Sequence, residues 1–193
     1  MRLYDLAGGG LAAKPLKDGD ESALIQGVPW ERVASPDGRY LFTLYVGNTG
    51  EAMIHELDLR AATARCVDLP GTGDFNGGTA YGLALAPDGR TLYAISPAYG
   101  AAATVDVAAA RVTHVTHFAV HQVGGPIGTA TAIAPSGGLV VAAVDAHTWF
   151  FDTRAQRVRS GPARVAIAVG FSPDGKRVWY LGERSRVRAL VVR

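Results

Sequence analysis

The chain has 193 residues, 48% hydrophobic and 19% charged, with a formal net charge of only +2. That balance excludes a disordered chain, and the length suits one domain or a small repeat array. The single Cys66 excludes an internal disulfide, and no apolar run reaches the roughly 20 residues of a membrane span.

Residues 2–6 open the chain as a short strand. Asp5 and Gly8-Gly9-Gly10 stand where a signal peptide would be apolar. The chain as written is therefore expected to be cytoplasmic, and secreted or cell-surface if an export segment lies upstream. The three glycines lack a following helical pattern, which excludes a phosphate loop. So does the missing Lys-Ser/Thr pair in Gly71-Thr72-Gly73-Asp74-Phe75-Asn76-Gly77-Gly78, a segment that leads toward a strand.

Four turns then punctuate the chain: Ser35-Pro36-Asp37-Gly38, Ala86-Pro87-Asp88-Gly89, Ala134-Pro135-Ser136-Gly137 and Ser172-Pro173-Asp174-Gly175. Pro presets φ, Asp or Ser caps the backbone, and Gly accepts the left-handed conformation that follows. Each turn joins two apolar segments. Tyr40-Leu41-Phe42-Thr43-Leu44-Tyr45-Val46 is apolar on both faces, as a strand covered on both sides must be. A second signal runs out of phase. An apolar residue precedes Asp at Tyr4-Asp5, Leu57-Asp58, Val105-Asp106 and Phe151-Asp152, and a small-residue turn and a further strand follow each. Interleaved, the two signals predict four short strands per period, two around each Pro-Asp-Gly turn and two around each Asp turn.

Ser35 to Asn48, ending Tyr45-Val46-Gly47-Asn48, resembles the YVTN-type β-propeller repeat family, whose shape is similar to that of WD repeats. The later repeats depart further, as Tyr93-Ala94-Ile95-Ser96 and Tyr180-Leu181-Gly182-Glu183 show. The resemblance implies an all-β fold of four-stranded antiparallel blades, about four blades' worth, within one domain spanning 1–193. The expected units are a half blade at 1–20, blades at about 30–70, 82–118 and 128–160, and a partial blade at 165–193. The N-terminal strands could complete the last blade and close a ring. Alternatively the blades form an open arc, or part of a larger propeller, with Val187–Val192 as a third strand of the last blade. The open arc is preferred, and its exposed end faces predict self-association.

In a propeller, the turns between second and third strands gather at one end of the channel with the connections between blades. Ligands are met at such rims. The candidate rim residues are Asn48, Glu51, Asp74, Asn76, His121, Gln122, Asp145, His147, Glu183 and Arg184. Asp145 and His147 lie two apart in register and can face the same way. His114 and His117 fall on opposite faces of a strand and are not expected to share a metal, and His55 reads as a packed or rim histidine. Cys66, in an apolar strand, reads as a small buried thiol.

The basic residues concentrate at the C-terminal end. Residues 152–193 hold ten Arg or Lys against three acids, and residues 1–151 hold nine against fourteen. The Arg residues alternate with apolar ones, as on a charged sheet edge, so nucleic acid is not the expected partner. No nucleophile elbow is present. The expected function is a non-catalytic binding or scaffold module for a protein or small-molecule partner, with no cofactor and no membrane. The alternative is a lactonase-like or other metal-assisted hydrolase, in which a divalent cation would sit on the Asp/Asn/His rim.

Overall fold

The computed structural model describes residues 4–13, 17–18, 27–125, 127–182 and 186–192. The hairpin β1 (Tyr4–Asp5) and β2 (Gly10–Leu11) comes first, and β3 (Lys17–Asp18) follows. The first full blade is the meander β4 (Val28–Ala34), β5 (Tyr40–Val46), β6 (Ala52–Asp58) and β7 (Thr63–Asp68). After a short helix α1 (Phe75–Thr79) comes the second, β8 (Gly82–Leu85), β9 (Thr91–Ser96), β10 (Ala101–Asp106) and β11 (Arg111–His117). The third is β12 (Ala130–Ile133), β13 (Leu139–Val144), β14 (His147–Asp152) and β15 (Arg157–Ser160). The last has three strands, β16 (Ala168–Phe171), β17 (Arg177–Leu181) and β18 (Val187–Val191). No helix among the described residues is long and apolar enough to cross a membrane.

The turn chemistry repeats with the strands. Gly38, Gly89, Gly137 and Gly175 all take a left-handed φ, between 67° and 72°. In the first turn the Ser35 hydroxyl donates to Asp37 at 2.6 Å and accepts from the Tyr40 N–H at 2.8 Å, which closes the loop locally. At the second signal, Asp58, Asp106 and Asp152 each accept an N–H three residues on, from Ala61, Ala109 and Ala155, all at 2.9 Å. Four residues after each Asp the chain again turns left-handed, at Ala62, Ala110 and Gln156, and at Gly9 in the β1–β2 hairpin.

Blades stack face to face through apolar layers. Phe42, Leu44, Ile54 and Val67 meet Leu83, Leu92 and Val105 between the first two blades. Tyr93 and Ile95 meet Val140 and Phe151 between the second and third. Val141 and Phe150 meet Val178 and Tyr180 between the third and last. These layers explain strands that are apolar on both faces. Arg65 adds a polar tie, donating to Glu56 on its own blade and to the Val107 and Ala108 carbonyls of the next, at 3.0 and 2.8 Å.

The first strands of the blades, β4, β8, β12 and β16, follow one another around the axis. Glycine permits one close approach there: a Cβ on Gly82 would lie 2.3 Å from Thr131 Cγ2 and 2.6 Å from the Thr129 carbonyl oxygen. The strands make an arc. β18 pairs along β17 as the third strand of the last blade, and the β1–β2 hairpin forms its own sheet.

Several details differ from expectation. The first blade carries a fifth strand, β3, pairing parallel to β7. Parallel pairing of a two-residue segment has no local signature in sequence. The segment 71–78 forms α1 before reaching β8, because Asp74 caps it by accepting the Asn76 N–H at 3.0 Å. Cys66 is only partly buried on the outermost strand of its meander, while His55, its cross-strand neighbour, is fully buried and lies edge-on to Tyr45.

Candidate functional site

The connections between blades cross the turns of the preceding blade at one end of the arc. The Gly73 N–H donates to the Thr49 carbonyl at 2.8 Å, the His121 N–H to Pro97 at 2.9 Å, and the Arg164 N–H to Ala146 at 2.8 Å. This end carries the candidate rim, and its blades use their polar residues differently.

On the first blade the candidates are engaged in turn structure. Glu51 accepts from the Thr49 hydroxyl, which holds its carboxyl below the ordinary carboxylate range. It folds back over Gly47, where a Cβ would lie 2.1 Å from Glu51 Oε1. Asp74 caps α1, whose first turn includes half-buried Asn76, and Asn48 is exposed in the turn. Tyr99, from the second blade, locks this corner. Its hydroxyl donates to the Gly50 carbonyl at 2.8 Å and the Asp74 carbonyl at 2.7 Å. Its ring fills the space that a Cβ on Gly71 or Gly77 would occupy.

Between the second and third blades the candidates converge. His121, from the β11–β12 connection, lies against His147 at the start of β14, with ring centroids 4.0 Å apart and the rings tilted by 45°. His121 Nε2 lies 3.6 Å from Asp145 Oδ2. That is beyond hydrogen-bonding reach, and the buried Nε2 has no hydrogen-bond partner among the described residues. Asp145 sits in the tight β13–β14 turn with φ at 52°, a conformation Asp tolerates better than most residues. The buried Trp149 indole backs both imidazoles, with centroids 5.4 Å from His121 and 5.9 Å from His147, and Phe118 lies behind it at 6.4 Å. Gln122 is exposed beside His121. Glu183 and Arg184 lie outside the described residues. Two imidazoles and a carboxylate on an aromatic floor can stack on a flat group and exchange hydrogen bonds with a polar one. Among the described residues no three His, Cys, Asp or Glu side chains form a group arranged to hold a metal ion.

Along the axis stands a titratable group that the sequence reading passes over. Glu31, on β4, accepts from the Leu83 N–H of β8 at 3.0 Å and, at a long 3.5 Å, from the Thr131 hydroxyl of β12. Thr131 itself donates to the Leu83 carbonyl at 2.7 Å. One carboxyl thus bridges the inner strands of three blades. Burial pushes it up to about 8, against the lowering effect of the two hydrogen bonds. In sequence Glu31 sits between Trp30 and Arg32, an ordinary polar position in a strand. A register shift at Trp30 redirects the strand, and the signal for it is Pro29, since proline within a strand marks an edge or a bulge. Trp149 was likewise missed, hidden in the apolar run of β14.

No protein-family model and no curated protein matches the chain. Among solved structures it is similar to the hydrazine synthase of Kuenenia stuttgartiensis, with a TM-score of 0.64 and 19% identity over 90% of this chain and 48% of that one. It is similar to a putative 6-phosphogluconolactonase from Bacteroides uniformis ATCC 8492, with a TM-score of 0.59 and 14% identity over 100% of this chain and 60% of that one. It is similar to the Dos1 propeller, with a TM-score of 0.65 and 12% identity over 98% of this chain and 46% of that one. At these identities the likeness is one of fold: the chain has a β-propeller fold. It spans about half the length of the structures it resembles, between 46% and 60%.

Proposed function

We propose that the chain is a non-catalytic β-propeller module of the YVTN-repeat type that binds a small-molecule or protein partner at the rim between its second and third blades. The observation that carries this reading is the close, tilted His121–His147 pair against Trp149 with Asp145 beside it. The cluster offers aromatic faces and hydrogen-bonding nitrogens at the junction of two blades, and no Ser, Thr or Cys nucleophile joins it in the contacts described. Such a surface recognises by stacking and polar complementarity. A second reading, metal-assisted hydrolysis of a lactone-like substrate, draws on the fold likeness to a putative 6-phosphogluconolactonase, although no three carboxylates, imidazoles or thiols among the described residues are arranged to hold the cation it would need. The test is a binding and turnover screen of metals, sugars and small lactones. Binding that His147→Ala weakens tenfold or more, without turnover, supports the module. Metal-dependent turnover abolished by Asp145→Asn or Asp74→Asn would replace it with the hydrolase.

A further inference from the structure

A cavity of about 380 Å³ opens at the rim between the third and last blades, a size that accommodates a small ligand. Its walls include Ala146 of the β13–β14 turn, Gly182 at the end of β17, and Tyr180, Arg164, Arg186 and Arg188. Three guanidinium groups from two separate stretches of chain therefore face one space. Among the described residues none of the three has an acidic partner within ion-pair distance. Arg164 makes one side-chain hydrogen bond, from Nη1 to the Ala163 carbonyl at 2.8 Å.

The second observation is independent of charge. Tyr180 is 2% exposed and lines the cavity, and its hydroxyl has no hydrogen-bond partner among the described residues. Thr148, also 2% exposed, is the hydroxyl beside it and acts on the phenol as a hydrogen-bonding neighbour, but it too has no partner of good geometry among the described residues. Burying a hydroxyl without a partner is unfavourable unless something supplies one. Tyr180 and Arg188 are direct cross-strand partners, so they share a face of the blade. A phenol donor among arginine forks matches the oxygens of an anion, because a guanidinium pairs two N–H groups with a carboxylate or phosphate.

We propose that this cavity binds the oxyanion of a small ligand, a phosphate or a carboxylate, with Arg164, Arg186 and Arg188 neutralising it and the Tyr180 hydroxyl donating to it. The inference deepens the binding-module reading and rests on it, adding a ligand class. Two of the tail arginines, legible in sequence as sheet-edge charge, gain a binding role.

The test is calorimetric titration of the full 193-residue chain with inorganic phosphate and, separately, succinate at matched low ionic strength. Saturable single-site binding is expected, weakening as chloride rises. Arg188→Met keeps the side-chain stem and should weaken binding about tenfold, the loss of one charge-assisted contact. Tyr180→Phe keeps the ring and should weaken it several-fold. The ratio of the two anions assigns phosphate or carboxylate. Absence of saturable binding of both anions overturns the proposal, as does binding that neither Arg188→Met nor Arg164→Met changes. Binding of duplex DNA without binding of phosphate also overturns it, in favour of a polyanion surface. If the anions fail while a ligand sensitive to His147→Ala still binds, the oxyanion site falls and the module reading stands. Turnover of a phosphate ester would do the reverse.

Discussion

Glu31 and Asp58 pull the stability of the molecule in opposite directions with pH. The Glu31 carboxyl is pushed from 4.5 up to about 8, chiefly by burial. Below 4.5 the folded and unfolded chains both hold the proton. As pH rises toward 8 the unfolded chain releases it first, so stability is lost through this window. We expect Glu31→Gln, neutral throughout, to gain on the order of 3 kcal/mol over the parent at about pH 9 and little at about pH 4, read from urea midpoints. Asp58 runs the other way. The Arg39 guanidinium, donating to it at 2.7 and 3.0 Å, holds it down at about 2 against an ordinary 3.8. Its contribution is present above 3.8 and lost as pH falls through 2, and Asp58→Asn should flatten that acid arm. A third residue-scale expectation concerns the left-handed Ala110, whose counterpart in the β1–β2 hairpin is Gly9. Ala110→Gly relieves the Cβ strain and should raise stability by about 0.5 kcal/mol, measured by chemical denaturation.

At the scale of elements, glycine and tyrosine decide how closely neighbouring blades approach. Gly82→Ala would drive a Cβ into β12 and should cost about 2 kcal/mol or more, because its obstacles include a backbone oxygen with little room to move. Tyr99→Phe removes the hydroxyl shared by the Gly50 and Asp74 carbonyls. Faster amide exchange confined to residues 47–51 and 71–78 is the expected result. The strands themselves were legible because Pro-Asp-Gly and Asp turns are local chemistry: Ser35, Asp37 and Gly38 close their loop within six residues. The meeting of His121 with His147 could be narrowed only to a shared rim, since it depends on how two blades stack. Glu31 was illegible for a further reason. Its partners lie 52 and 100 residues away, and the bulge at Trp30 breaks the alternation from which a facing is read. The β3–β7 pairing and the Tyr99 lock are likewise long-range contacts between segments whose own composition is ordinary.

For the molecule as a whole, the last blade and the opening hairpin both leave apolar surface exposed. Trp179 is 39% exposed on the last blade, Val187 and Val191 are each 61% exposed on its free strand, and Leu11 is 62% exposed in the opening hairpin. The isolated chain is expected to self-associate through these surfaces. Sedimentation velocity over a hundredfold range of concentration should show a rising average mass, and a monomer throughout would contradict it. The Glu31 bridge has a consequence of another kind, for the order in which the chain folds. In a stacked array each unit contacts its immediate neighbours, so unfolding can proceed one unit at a time. Glu31 reaches past the second blade to Thr131 on the third, at 3.5 Å. Its full set of partners exists only once three blades have docked, which makes it a late contact that slows unfolding more than it speeds folding. At about pH 4, where folded and unfolded chains both hold the proton, Glu31→Ala should let the first blade come away before the others. A single sharp unfolding transition would then spread into two, with the first blade melting ahead of the rest.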